Sequence, residues 1–125
     1  MNNITRLMNA FNAIESKVTD IKVINLTTSD GFPICSKYFE SKNFDEDKLS
    51  AASSSMAALS VAASKQLIGS NFSSTIIETD NGSMLLVNTK YDQKDCILCF
   101  VTGNLHQIGH VRFFAFKLAE FINNS

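Results

Sequence analysis

The sequence predicts a mixed α/β fold of the α+β type, on three observations. Apolar residues recur at helical spacing in three separate stretches, runs of strand length rich in β-branched residues lie between them, and short turns of hairpin type join the strands. The order is helix, two strands, helix, three strands, helix. Hairpin connections imply an antiparallel sheet of five strands. Three helices are too many for one face of such a sheet, so helices are expected in two layers. No linker or repeat interrupts the 125 residues, which predicts one domain over residues 1–125.

The first helix starts at Asn3, because Ile4, Leu7, Met8, Phe11, Ile14 and Val18 recur at steps of three and four and form one stripe. Ile21 to Leu26 is a β-branched run, followed by turn chemistry from Thr27 to Gly31. A second strand runs from about Phe32 to Phe39, with Pro33 tolerable only at its start or on a sheet edge, since proline has no N–H for a ladder. After a polar connector, Ser41 to Phe44, the acidic Asp45, Glu46 and Asp47 sit where the positive end of a helix dipole belongs. The second helix continues to about Gly69, a suitable left-handed stop. Phe72 to Thr79, Met84 to Thr89 and Cys96 to Val101 read as a three-strand meander, with turns at Asp80-Asn81-Gly82 and between Tyr91 and Asp95. The last helix spans Leu105 to Ile122, its core stripe carrying Leu105, Ile108, Val111, Ala115, Leu118, Ala119 and Ile122.

Composition removes several functions. A net charge of −1 lacks the basic excess that phosphate backbones select, so nucleic acid is not an expected partner. The N-terminus has no basic region leading into an apolar run, so a cytoplasmic location is expected. There the glycosylation-like triplets at Asn3, Asn25, Asn71 and Asn81 carry no meaning. The three cysteines imply no disulfide framework.

Candidate chemistry fares no better. Cys96-Ile97-Leu98-Cys99 has zinc-knuckle spacing, but residues three apart in a strand point to opposite faces, and no second pair exists. His106 and His110 share a helix face, yet two ligands do not make a site. No cysteine lies where its pKa would fall, the glycines occur singly rather than in a phosphate-cradling loop, and the carboxylates sit in caps and turns. The expectation is no catalytic residue, no metal and no cofactor.

Two surfaces stand out. Leu49 to Ser64 carries no charge, and it is too short and too Ser-rich to cross a bilayer, so no membrane insertion is expected. One of its stripes, Leu49, Ala52, Met56, Leu59, Ala63 and Leu67, is the expected sheet-facing side. A second, Ala51, Ser55, Ala58 and Ala62, is uniformly small, which lets another backbone approach closely and suits a two-fold dimer. On the last helix, Phe113 falls on the polar side and Phe116 at the edge of the core stripe, making a candidate docking surface.

Taken in order, Asp30 to Ser36, the helix opening Leu49-Ser50-Ala51-Ala52, Thr79 to Leu86 and Leu105 to Arg112 resemble the roadblock/LC7 family over nearly the whole chain. The departures are Asp20-Ile21-Lys22, where the family often has a Gly-Ala type sequence, and the aromatic last helix. The resemblance implies the central helix on one sheet face and the terminal helices on the other. It also implies dimerisation through the central helix and third strand, which carries over to Ala51, Ser55, Ala58 and Ala62 with Phe72, Ser74, Ile76 and Glu78. The implied function is a non-catalytic homodimeric scaffold or regulator that binds a small Ras-like GTPase, as a GTPase-activating or localising partner. A heterodimer with another roadblock protein is the variant of that assembly. The alternative is a light-chain-like adaptor subunit of a cytoskeletal or motor complex.

Overall fold

The element order expected from the sequence is the order that forms. A computed structural model describes residues 3–40, 44–104 and 107–125. It contains α1 (Asn3–Ile14), β1 (Ile21–Thr28), β2 (Pro33–Tyr38), α2 (Glu46–Ala63), β3 (Ser74–Thr79), β4 (Gly82–Tyr91), β5 (Lys94–Thr102) and α3 (Ile108–Asn123). A π-helical turn, Ser64–Ile68, closes α2, and Gly69 ends it in the left-handed region at φ 75°.

All strand pairs are antiparallel, in the order β2-β1-β5-β4-β3. The last strand therefore fills the centre, and β2 and β3 form the edges. Pro33 opens β2, where its missing N–H costs no ladder bond. The central strands are buried on both faces, which is why Cys96 to Phe100 reads as a continuous apolar run rather than an alternation. Leu7 and Phe11 of α1 and Val111, Ala115, Leu118 and Ile122 of α3 pack on one face against Leu26, Leu85, Leu98 and Phe100. On the other face Ala57 of α2 packs with Leu86, Ile97, Cys99 and Phe72. Cys96 belongs to the first core and Cys99 to the second, so the thiols diverge as the strand period requires.

Several boundaries differ from the sequence expectation. Asp92 and Gln93 both take left-handed backbone, at φ 53° and 65°, which makes a two-residue turn matched to strand twist. The flanking strands consequently run on to Tyr91 and start at Lys94, where a longer turn was expected. The strand expected from Phe72 starts at Ser74. At the β3–β4 turn, a Cβ on Gly82 would lie 2.2 Å from the Thr102 carbonyl oxygen, so this close backbone approach admits only glycine. Asp20, at φ 61°, takes a conformation that glycine adopts more cheaply. Its carboxylate is 2.9 Å from the Lys22 ammonium, which also donates to Glu40, and these two hydrogen bonds, Glu40 first, raise the Lys22 pKa.

Candidate functional site

The second helix is held at its start by Asp45, whose Oδ1 accepts from the backbone N–H groups of Asp47 (3.0 Å) and Lys48 (3.2 Å). Glu46 and Asp47 add negative charge in the first turn. From there α2 crosses the sheet diagonally. Near its start the Ser36 hydroxyl of β2 donates to Glu46 Oε2, and near its end Ser60 Oγ is hydrogen-bonded to Thr75 Oγ1 of β3.

The side that α2 buries is not the apolar one. Ser50, Ser53 and Ala57 are the buried residues, with Leu49, Met56, Ser60 and Val61 half-buried. The expected sheet-facing stripe of Leu49, Ala52, Met56, Leu59, Ala63 and Leu67 is thus displaced by one residue, a rotation of about 100°. Leu59 is 66% exposed and Leu67 83% exposed. The cause lies in the strand beneath. Asn25 and Thr27 of β1 are fully buried on this face and need partners. Asn25 Nδ2 donates to Ser36 Oγ at 2.9 Å and to Ser50 Oγ at 3.3 Å. Thr27 Oγ1 stands 2.6 Å from Asn25 Oδ1 and 2.7 Å from Ser50 Oγ. Short serine and alanine side chains bring α2 close enough to complete this network, and turn Leu59 outward. Asn25 is wholly enclosed, so it offers no accessible acceptor for a glycan.

Ala51, Ser55, Ala58 and Ala62 are all exposed and share the outward face, joined there by Leu59. The π-helical turn extends this surface with Leu67 and Ile68, the latter 78% exposed. Beside it runs β3, whose outer edge has no strand partner among the described residues.

The expected β3 residues divide between two places. Phe72 precedes the strand and is buried against Ala57, Leu86, Ile97 and Cys99, so it is a core residue of its own chain and is withdrawn from the candidate interface. Ser74, Ile76 and Glu78 stand opposite Val87, Leu85 and Ser83, on the face that carries α1 and α3. Thr75 and Ile77, opposite Leu86 and Met84, share the α2 face instead. Leu59 and Leu67, expected against the sheet, are exposed instead, and Ile68, given no role by the sequence, is exposed beside them in the chain. The alternating polar residues Asn25 and Thr27 in β1 are the signal from which the serine-inward rotation was readable; nothing local marks the π-turn.

On α3, Phe113 is 54% exposed and Phe116 half-buried. The Lys117 ammonium lies 5.0 Å from the Phe113 ring centre and the Arg112 guanidinium 4.6 Å from that of Phe116. Of the paired histidines, His106 lies outside the described residues. The His110 ring is hydrogen-bonded through Nε2 to the Lys17 carbonyl at 2.6 Å.

Among the described residues no three or more His, Cys, Asp or Glu side chains group as a metal site, and no helix is long and apolar enough to cross a membrane. Desolvation pushes the Cys35 and Cys99 thiols up to about 12, with Glu46 adding to the rise at Cys35 and the Ser53 hydroxyl opposing it at Cys99. Such thiols are poor nucleophiles at neutral pH.

A model of the Roadblock/LC7 domain matches residues 16–99. No curated protein matches the chain by sequence. Among solved structures, one described as MglB with a tetrameric arrangement superposes with a TM-score of 0.84 at 18% identity, covering 96% of this chain and 87% of that one. Myxococcus xanthus MglB gives 0.82 at 19% identity, covering 98% and 96%. MglC from the same organism gives 0.66 at 11% identity, covering 94% and 97%. At these identities the likeness establishes the fold.

Proposed function

The chain belongs to the Roadblock/LC7 family, and on that footing we propose that it is a non-catalytic, cytoplasmic, homodimeric scaffold that regulates a small Ras-like GTPase. The observation that carries the dimer is the outward face of α2. Ala51, Ser55, Ala58, Leu59 and Ala62 form an uncharged surface, and Leu67 and Ile68 lengthen it. A monomer rarely leaves such a helix face bare.

In the two-fold arrangement the α2 helices of two copies pack against each other, small residues allowing close approach. The β3 edges then pair, with Thr75 and Ile77 on the α2 side of the seam and Ser74, Ile76 and Glu78 on the other. Pairing covers an edge that would otherwise invite aggregation. The same family membership supports a GTPase partner, as does the fold shared with MglB.

The test is copurification of the tagged chain from its native host, with nucleotide analysis of the captured protein. Recovery of a Ras-sized protein carrying guanine nucleotide is the expected result. Recovery of motor or cytoskeletal subunits without one would refute the GTPase reading and favour the adaptor role.

A further inference from the structure

β4 is longer than the strand beside it. Its residues Gly82 to Val87 pair with β3, whereas Asn88 to Tyr91 pair only with β5. The chain ahead of β3 leaves the sheet at Ser73, so the outer edge of β4 over Asn88–Tyr91 has no strand partner among the described residues. Asn88, Thr89 and Lys90 of this free edge line an open cleft of about 1370 Å³ between the π-turn on one side and α3 on the other. That volume exceeds the usual small-molecule pocket of roughly 300–1,000 Å³. In a strand, alternate residues turn both N–H and C=O to the same side, so the segment presents a row of peptide donors and acceptors to the cleft.

The charge of the cleft is unlike that of the chain. Lys65, Lys90, Arg112 and Lys117 line it, four of the eleven basic residues, against Asp95 and Glu120 from twelve acidic ones. Two of the cations rest on the exposed flank of α3 over Phe116 and Phe113, which limits their wandering.

We propose that this cleft docks an extended acidic peptide segment of a partner protein, added as a strand to β4 in line with β3. The peptide backbone pairs with Asn88–Tyr91, its carboxylates meet Lys65, Lys90, Arg112 and Lys117, and its apolar side chains cover Phe113 and Phe116. A polyphosphate backbone has no peptide groups and would leave the strand edge unpaired. The residues lining the cleft all belong to one chain, and it adjoins the dimer surface proposed above at the π-turn.

Fluorescence anisotropy with a labelled peptide of about eight residues, Glu alternating with Val, tests this. Saturable binding is expected that weakens with salt, falls about tenfold or more in Arg112→Glu with Lys117→Glu, and disappears when alternate peptide nitrogens are methylated. A peptide with Lys in place of Glu is expected not to bind. Equal binding of the methylated peptide, undiminished binding by the double variant, or tighter binding of a single-stranded oligonucleotide would each overturn the proposal. Should the double variant fail to fold, amide shifts of the wild-type chain decide: Asn88 to Tyr91 must move on peptide addition, and their silence refutes strand addition.

Discussion

Ser50 and Ser53 lie on the same buried face of α2, both without solvent exposure, and replacing each by alanine is predicted to change stability in opposite directions. The Ser50 hydroxyl stands 2.7 Å from Thr27 Oγ1 and 3.3 Å from Asn25 Nδ2. Its removal deprives two buried polar groups of a partner, at about 1–3 kcal/mol, offset by about 0.5 kcal/mol from the better helix propensity of alanine. A net loss of about 1.5 kcal/mol is expected. The Ser53 hydroxyl is enclosed without a hydrogen bond of ordinary geometry, and only the weak Cys99 thiol stands by it. Removing it relieves about 1 kcal/mol of desolvation and gains the same helix propensity, so Ser53→Ala is expected to stabilise by about 1.5 kcal/mol. Urea unfolding followed by circular dichroism, at one fixed protein concentration so that association contributes equally, reads the difference of about 3 kcal/mol as a midpoint separation of roughly 2 M. Two shifts of the same sign, or a costlier Ser53→Ala, would refute the network as the reason for the helix rotation.

Other consequences are open to the same assay. Asp45→Ala removes the acceptor of two N-terminal amides and should cost about 1 kcal/mol, seen as a lower urea midpoint. Gly82→Ala drives a methyl into the Thr102 carbonyl and should cost more than about 2 kcal/mol, measured in the same way. The buried thiols of Cys35 and Cys99 remain neutral in the native state up to about 12, against an ordinary value of 9.0, so the unfolded chain loses its protons first. Their contribution is fully present below pH 9 and is lost as pH rises toward 12, by at most about 1.4 kcal/mol per pH unit for each thiol. Unfolding at pH 8 and pH 10.5 should show this decline, and Cys99→Ala should make it shallower.

Helix and strand order, sheet polarity and the divergence of Cys96 and Cys99 were legible because each depends on local period and turn chemistry. The orientation of α2 was not, because it depends on what lies beneath. Apolar spacing favours Leu59 and Met56 as core residues, and the demand of Asn25 and Thr27 for hydrogen-bond partners overrides it. Phe72 was misread for a related reason. A β-favouring aromatic before Ser74 looks like strand, yet the gap beside Ala57 draws it into the core. The small-residue face of Ala51, Ser55, Ala58 and Ala62 was legible as a stripe turned away from its own sheet, and the fold exposes all four. Strand lengths at Asp92-Gln93 turned on two left-handed residues, neither a glycine.

Light scattering on the purified chain and on Ala58→Glu, at about tens of micromolar, tests the α2 interface most directly. Ala58 is exposed in the single copy, so a glutamate there leaves the fold intact by circular dichroism and places two like charges at the two-fold seam. The wild type is predicted to be a dimer of 13.8 kDa chains and the variant a folded monomer. A monomeric wild type, or a variant that stays dimeric, contradicts the assignment of this helix face to a second copy.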